Sequence, residues 1–343
     1  MKGIWISLFA AAGLWHGQAT ATETTMRIAT WLSPTSEMNT VVLPTWGQWI
    51  EEATEGRVKI KLEHDLGQPQ SMIDLVQDGA VDASWTYHGY FPGRFKLTTI
   101  AELPNLGAGA EAASVAHWRV HQQYLAKANE HGDVVVAGLF THGPGEIHMR
   151  QPINSLSELS NKKIRVGGGV QNSIGEQLGI IGVAAPTTKV YEMLTQGVVD
   201  GVFNPMNTKR TMRFKEVAPY TLKMPHGMYL GSFGIFIGHD FLDRLSEQDR
   251  EAIMAVSGEK LSAMAARAWV QGDQEAEQDA LEFGNTIIQA SEQDVQLFTE
   301  LTRGIEHGWL DDVADRKVDA AQALAEFRRI AREYQAQLDG NQG

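Results

Sequence analysis

A short helix-to-strand turn occurs twice in the chain and constrains its fold more than any other feature. The copies are DGAVDASW at residues 78–85 and QGVVDGVFNP at residues 196–205. Each follows a helical pattern, and Gly79 or Gly197 supplies the left-handed residue that often ends a helix. Chance recurrence of a common turn is one explanation. The other is that two α/β units each contain the turn once.

The patterns on either side of both copies favour two units. Before the first copy, strand patterns at 26–31 and 58–63 alternate with helical patterns at 37–54 and 70–77. The same alternation recurs over 163–203. Strands separated by helices run parallel within one sheet, and a sheet with helices on both faces defines the α/β class. We therefore predict a two-domain α/β protein whose sheets have parallel cores.

The domain boundaries follow from this alternation. We expect domain I over 22–145, completed by parts of 232–343, and domain II over 146–231. Residues 240–343 have mainly helical patterns, predicted to pack on both domains. Residues 247–283 are compatible with one long helix between the domains, although Gly258 and Gly272 also permit two shorter helices.

The first 21 residues predict an export signal. Lys2 precedes the apolar run 4–14, and the small residues 19–21 offer a cleavage site. The run is too short for a membrane-spanning helix. The chain contains no cysteine, which excludes disulfides, thiolate metal sites and a lipid-anchored cysteine. We expect an exported protein of the Gram-negative periplasm.

The net charge of −13 argues against two classes of partner. An acidic surface repels both phosphate backbones and anionic lipids, so we expect neither nucleic acid nor a membrane surface as a partner. An anionic ligand would need a few well-placed cations to overcome this charge.

The motifs of common enzymes are absent. The sequence contains no Gly-x-Ser-x-Gly, no Gly-x-x-x-x-Gly-Lys-Ser/Thr and no His-Glu-x-x-His. The run Gly167–Gly169 lacks the third glycine of a dinucleotide motif, because that position is Asn172. We expect no catalysis and no cofactor, and the glycines are predicted to let a helix N-terminus approach a ligand anion.

The residues His142, Glu146 and His148 are the candidate metal ligands. Their spacing matches no ligand template, and isolated histidines are more often structural. We therefore expect no metal site.

Two polar residues at predicted strand ends are the best candidates for ligand binding. Arg165 lies near the end of the apolar strand KKIRV, and Asn204 ends a strand before Pro205. Ligands of α/β sheets bind beyond the carboxyl ends of strands, and a guanidinium suits a carboxylate. A salt bridge for Arg165 and a turn for Asn204 are the structural alternatives.

Aromatic residues also fall at predicted strand ends. Trp31, Trp85, Tyr87 and Phe203 occupy such positions. Core packing is the usual role of such residues, but rings at the edge of a sheet also form walls of a ligand cleft.

The order of several segments resembles the DctP-like solute receptors of tripartite ATP-independent periplasmic (TRAP) transporters. The similarity covers nearly the whole chain after the signal and includes MRIATW, LGQPQSMIDLVQDGAVDASW, PINSLSELSNKKIRV and VYEMLTQGVVDGVFNP. Each segment alone is a weak match, but their order is specific.

This resemblance implies a type II-like periplasmic binding protein, expected as a monomer, that closes on a small carboxylate and delivers it to integral membrane subunits. It implies that Arg165 binds the carboxylate with Asn204 beside it. It also places Gln68, Tyr87, Gly168 and Thr187 in the pocket. A receptor of an ATP-driven importer, binding a small anion or zwitterion, is the alternative.

The sequence departs from sialic-acid-type relatives at one position. Where those relatives have a further arginine, this chain has Gly145 and Glu146, with Arg150 nearby. A second carboxylate contact is therefore in doubt. The aromatic residues suit a monocarboxylate with an apolar or ring-bearing body, and dicarboxylates, hydroxy or keto acids, sulfonates and zwitterions stay open.

Overall fold

The computed structural model describes residues 23–340, and the predicted export signal lies outside them. The strands are β1 Thr24–Thr30, β2 Val58–His64, β3 Ala83–Tyr87, β4 Val135–Thr141, β5 Gly145–Met149, β6 Lys163–Val166, β7 Ile181–Ala184, β8 Gly201–Pro205, β9 Tyr220–Lys223, β10 Ser232–Ile237 and β11 Thr286–Gln289. The α-helices are α1 Leu43–Ala53, α2 Met72–Gln77, α3 Ala110–Val120, α4 Val170–Gln177, α5 Val190–Thr195, α6 Thr208–Thr211, α7 Phe214–Val217, α8 His239–Asp243, α9 Glu247–Ala255, α10 Glu259–Glu282, α11 Glu292–Thr302, α12 Ile305–Asp312 and α13 Ala320–Gly340.

The strands form two sheets, which we call the sheets of the first and the second lobe. The first has the order β2-β1-β3-β10-β4, and the second has the order β11-β9-β5-β8-β6-β7. Every residue of β3, β8 and β10 is buried, as expected for strands covered on both faces. The predicted α/β class is confirmed.

Each sheet has the predicted parallel core, to which antiparallel strands are added. β1 pairs in parallel with β2 and β3, and β6 pairs in parallel with β7 and β8. However, β10 runs antiparallel to β3 and β4, and β5 runs antiparallel to β8 and β9. Strands β5 and β10 follow directly after the chain crosses between the sheets, so no helix precedes them to fix a parallel direction.

The chain passes between the sheets at 142–144 and at 224–231, and again between β10 and β11. The predicted boundaries at 145 and 231 fall at the first two passages, but the division into domains stays a prediction. Of the two possibilities for 247–283, the structure has two helices: α9 ends at Ala255, and α10 begins after Gly258, whose φ is +67°. The second of these, α10, is 24 residues long.

The repeated turn has the same geometry in both lobes. Gly79 and Gly197 have φ values of +69° and +73° and end α2 and α5. The Oδ2 atom of Asp82 accepts a hydrogen bond from the amide of Arg27 at 2.8 Å, and Oδ2 of Asp200 accepts one from the amide of Lys163, also at 2.8 Å. Each aspartate therefore binds the backbone of the neighbouring parallel strand in its own sheet.

A buried apolar cluster underlies each sheet. One packs α1, α9 and α10 against the first sheet, and another joins α3 and the C-terminal helices to the second. None of the helices within residues 23–340 combines the length and apolarity that a bilayer crossing requires.

Candidate functional site

A cavity lined by residues of both sheets and of the segments that cross between them lies between the two lobes. The carboxyl ends of β3, β6 and β8, the loop after β1 and the helix α10 supply its wall. Its aromatic residues are Trp31, Tyr87, Tyr90, Tyr229, Phe233 and Trp269, and its polar residues are His142, Arg165, Gln171, Thr187, Asn204, Asn207, Thr208 and Thr211.

Arg165 is the cation of this cavity. It lies on β6 and is only 2% exposed. Nε donates to the carbonyl of Ala185 at 2.8 Å, and Nη1 donates to Oδ1 of Asn204 at 2.6 Å. Within residues 23–340, no carboxylate lies within 4.0 Å of this guanidinium, and Nη2 donates to no protein group. The side chain is therefore held in place with one nitrogen left for a ligand.

Asn204 and Thr187 complete the polar end of the cavity. The side-chain amide of Asn204 donates to Oγ1 of Thr187 at 3.1 Å while its oxygen accepts from Arg165. Both polar atoms of Asn204 are therefore engaged, and Asn204 orients its neighbours. The hydroxyl of Thr187 accepts one hydrogen bond and keeps its own proton available for a ligand oxygen.

Aromatic rings form another part of the cavity wall. The Trp31 indole stacks on Trp85 with centroids 4.5 Å apart, and its N–H donates to the Trp85 carbonyl at 3.0 Å. Phe233 packs against Tyr87 and Trp269 at 5.2 and 5.1 Å. Such rings favour a ligand body that is flat and apolar.

His142 joins two passages between the lobes. Its Nδ1 lies 2.5 Å from the carbonyl oxygen of Gly143, and its Nε2 accepts from the amide of Gly231 at 3.1 Å. Burial lowers the pKa of His142 to about 4, so the ring is neutral at pH 7 and donates through one nitrogen only. The imidazole thus has a structural role in the crossing segments.

Polar contacts hold the lobes together around the cavity. The carboxylate of Glu102 accepts from the amide of Ser232 in β10 at 2.9 Å and from the amide of Val170 in α4 at 3.0 Å. Burial raises the pKa of Glu102 to about 7. The phenol oxygen of Tyr90 accepts from the amide of Thr187 at 3.0 Å. The two lobes therefore contact each other in this structure.

The run Gly167–Gly169 serves this contact between the lobes. We expected the helix after it to approach a ligand anion, but the amide of Val170 binds Glu102 instead. A Cβ atom on Gly168 would lie 2.0 Å from the carbonyl oxygen of Gly89 in the first lobe. Glycine is needed there because the two backbones meet.

The predicted ligand-binding residues divide into two groups. Five line the cavity, namely Trp31, Tyr87, Arg165, Thr187 and Asn204. The other four do not: Gln68 is exposed, Trp85 lies behind Trp31, Gly168 contacts Tyr87, and the buried Phe203 contributes only its carbonyl to Arg165. Arg150 packs beside Gly197, away from the cavity lining.

Several residues that line the cavity have no recognisable signal in the sequence. Tyr229 and Phe233 lie on or beside a crossing segment, and Trp269 lies in the middle of α10. In a helix, a tryptophan among alanines indicates only a buried face. His142 was noticed only as a metal candidate.

The candidate metal ligands do not meet. His148 binds Thr221 and the carbonyl of Asn204, and Glu146 accepts from the amide of Met224. In the part of the chain that the structure describes, no group of three or more His, Cys, Asp or Glu residues is arranged to hold a metal ion.

Comparison with solved structures finds close similarity over nearly the whole chain. A TRAP periplasmic solute-binding protein of Bordetella bronchiseptica, with bound (R)- and (S)-mandelate, is 34% identical with a TM-score of 0.87, over 91% of this chain and 99% of that one. A TRAP solute-binding protein of Rhodoferax ferrireducens with benzoate is 26% identical with a TM-score of 0.87, over 92% and 99%. A marine-metagenome protein specific for aromatic acids, with 3-hydroxybenzoate, is 26% identical with a TM-score of 0.86, over 91% and 99%.

Sequence comparison leads to the same family. The outer membrane transporter protein TsaT of Comamonas testosteroni is 30% identical over 91% of this chain and 93% of its own length. The family described as bacterial extracellular solute-binding protein, family 7, matches residues 28–306. The chain therefore belongs to this family, as a periplasmic solute-binding protein of the TRAP type and not an enzyme.

Proposed function

We propose that the protein is the periplasmic receptor of a TRAP transporter and that it binds a small aromatic monocarboxylate between its lobes. The observation that carries this proposal is the buried guanidinium of Arg165, which has no acid partner among the described residues. A buried charge without a partner is strongly unfavourable, and an arginine does not lose its proton to avoid the cost. A ligand carboxylate supplies the missing charge.

The proposal that the ligand is aromatic rests on the aromatic residues of the cavity wall. Trp31, Phe233 and Trp269 leave a space bounded by ring faces and edges. Arg165 is the one arginine or lysine that lines the cavity within residues 23–340, so a second carboxylate would be buried without a cation. The ligands named for the three solved relatives, mandelate, benzoate and 3-hydroxybenzoate, each have one carboxylate and one benzene ring.

Delivery to the membrane subunits follows from the contact between the lobes. Ligand bound between Arg165 and the aromatic wall contacts both lobes and so stabilises the closed form relative to an open one. The membrane subunits would then recognise the surface that the two closed lobes form together. Uptake of labelled benzoate by proteoliposomes with TRAP membrane subunits should require this protein, and equal uptake without it would contradict delivery.

Calorimetry with matched ligands tests the binding site. Benzoate should bind, whereas benzamide has the same ring without the charge and should bind at least about a hundredfold more weakly. Succinate tests the aromatic requirement, because it has carboxylates and no ring. Succinate binding as tightly as benzoate would reject the aromatic class, and benzamide binding as tightly as benzoate would reject the role of Arg165.

A further inference from the structure

Three buried polar atoms in the cavity wall have no hydrogen-bond partner among the described residues. They are Nε1 of Trp269, Oη of Tyr229 and Oδ1 of Asn207, on side chains 4%, 3% and 2% exposed. Two other polar atoms of the wall, Nε1 of Trp31 and the phenol oxygen of Tyr87, are paired with protein groups. Buried polar groups are normally paired, so unpaired ones around a cavity indicate where a ligand places its own polar atoms.

The protein fixes each of these three side chains without help from a ligand. The Trp269 ring stacks on His142 with centroids 6.1 Å apart, and the Tyr229 ring meets the same imidazole edge-on at 5.3 Å. The backbone amide of Asn207 donates to Oδ1 of Asp273 at 2.6 Å, one turn of α10 after Trp269, and the Asn207 side chain donates to Glu37. All three residues line the cavity, and protein groups hold their side chains in place.

The orientation of Asn207 follows from its other partner. Its Nδ2 donates to the carboxylate of Glu37 at 3.0 Å, and a carboxylate accepts hydrogen bonds only. The free atom of Asn207 is therefore the oxygen, and it needs a donor. The indole N–H of Trp269 needs an acceptor, and the Tyr229 phenol can serve as either.

A hydroxyl group satisfies this set of atoms, because it accepts from an N–H and donates to a carbonyl oxygen. A second carboxylate would accept from Trp269 but could not donate to Asn207, and it would lie near the carboxylate of Glu37. A methyl group or a halogen would leave all three atoms unpaired. Burial raises the pKa of the Tyr229 phenol, so that it stays protonated.

We infer that Trp269, Tyr229 and Asn207 form a subsite for a hydroxyl group and that the natural ligand is a hydroxylated aromatic monocarboxylate. This inference rests on the proposed function and makes it more specific. Arg165 and the rings select an aromatic acid, and the three atoms select the oxygen that the acid carries apart from its carboxylate. Sites that hydrogen-bond a ligand hydroxyl discriminate strongly against analogues that lack it.

The test compares acids that differ by one hydroxyl. Calorimetry measures the affinity for phenylacetate and mandelate, and for benzoate and its 2-, 3- and 4-hydroxy derivatives. At least one hydroxylated acid should bind more than about tenfold tighter than its parent. Tyr229→Phe and Trp269→Phe should each reduce this ratio about fivefold or more, since each removes a free donor.

Two matched variants control for the loss of ring area or of a phenol. Trp31→Phe and Tyr87→Phe alter cavity residues whose N–H or O–H already has a protein partner. They should weaken the binding of parent and hydroxylated acid alike and preserve the ratio. Melting temperatures show whether all four variants fold.

The outcomes separate the inference from the proposed function. If benzoate or phenylacetate binds through Arg165 but no hydroxylated acid binds tighter, the hydroxyl subsite is rejected and the aromatic receptor stands. The subsite is also rejected if folded Tyr229→Phe and Trp269→Phe proteins keep the full ratio. If no aromatic acid binds, both proposals fail.

Discussion

The second lobe contains two buried cations without an acid partner among the described residues, and they differ in how their donors are used. Arg165 on β6 leaves Nη2 free toward the cavity. Lys209 on α6 is completely buried, and its Nζ donates to the carbonyl of Ala218 and, at 3.0 Å, to Oδ1 of Asn285. Neutral acceptors surround Lys209, whereas Arg165 has space beside it.

The two sites also respond differently to burial. Burial lowers the pKa of Lys209 to about 7, so this side chain can lose its charge near neutral pH. A guanidinium has no such option under these conditions. A buried cation therefore indicates a binding site only when it keeps both its charge and a free donor beside a cavity.

Removal of Arg165 should give the largest effect. Arg165→Ala leaves the ligand carboxylate buried without its cation, and we expect a loss of about 3–5 kcal/mol of binding free energy. Calorimetry with the tightest aromatic acid measures it. Arg165→Lys keeps the positive charge but not the planar guanidinium that can donate two hydrogen bonds to one carboxylate, and it should recover part of the affinity. An unchanged affinity in Arg165→Ala would show that Arg165, like Lys209, is not needed for ligand binding.

A carboxylate placed beside Arg165 should form a buried ion pair with it and so occupy the cation that the ligand needs. Asn204→Asp provides that acid at the position that now contacts Nη1, and it should reduce the binding free energy by about 3 kcal/mol through repulsion of the ligand anion. The melting temperature should not fall. Asn204→Ala is the control without charge and should weaken binding less, and an equal loss in both would contradict the electrostatic explanation.

Lys209 should affect stability and not binding. Lys209→Met leaves two carbonyl oxygens without their donor, so we expect the free energy of unfolding to fall by about 1–3 kcal/mol. Chemical denaturation measures this change, and calorimetry checks that ligand affinity stays within about threefold of the wild type. A large loss of affinity would show that Lys209 belongs to the binding site.

A pH dependence of stability should accompany the lowered pKa of Lys209. The pKa of Lys209 is about 7 in the folded protein and about 10.4 in an unfolded chain, so the unfolded state binds more protons between these values. The Lys209 contribution to the free energy of unfolding should therefore rise as the pH increases from 7 to 10. Denaturation at several pH values should show a steeper rise for the wild type than for Lys209→Met, and parallel curves would contradict the lowered pKa.

Local rules predicted the features that depend on neighbouring residues. Gly79 and Gly197 end helices because glycine adopts a positive φ cheaply, and that rule needs no tertiary information. Arg165 and Asn204 were identified because strand ends meet at one edge of a parallel sheet. Their contact at 2.6 Å agrees with that argument.

The rest of the site depends on tertiary packing. Trp269 reaches the cavity from α10 and Tyr229 from a crossing segment, and no sequence periodicity relates these positions to β6. The directions of β5 and β10 were also missed, because they depend on how the chain returns between sheets. Glu102 lies in an irregular stretch, where nothing in the sequence indicates that its carboxylate binds α4.

The aspartates of the two repeated turns bear on how the lobes can move relative to each other. Asp82 and Asp200 each accept a hydrogen bond from a neighbouring strand of the same lobe, and neither bond involves an atom of the other lobe. An opening of the cleft would therefore break neither hydrogen bond. If the lobes move apart, each can therefore keep its own sheet intact, and we expect the backbone angles to change at the residues that cross between the lobes.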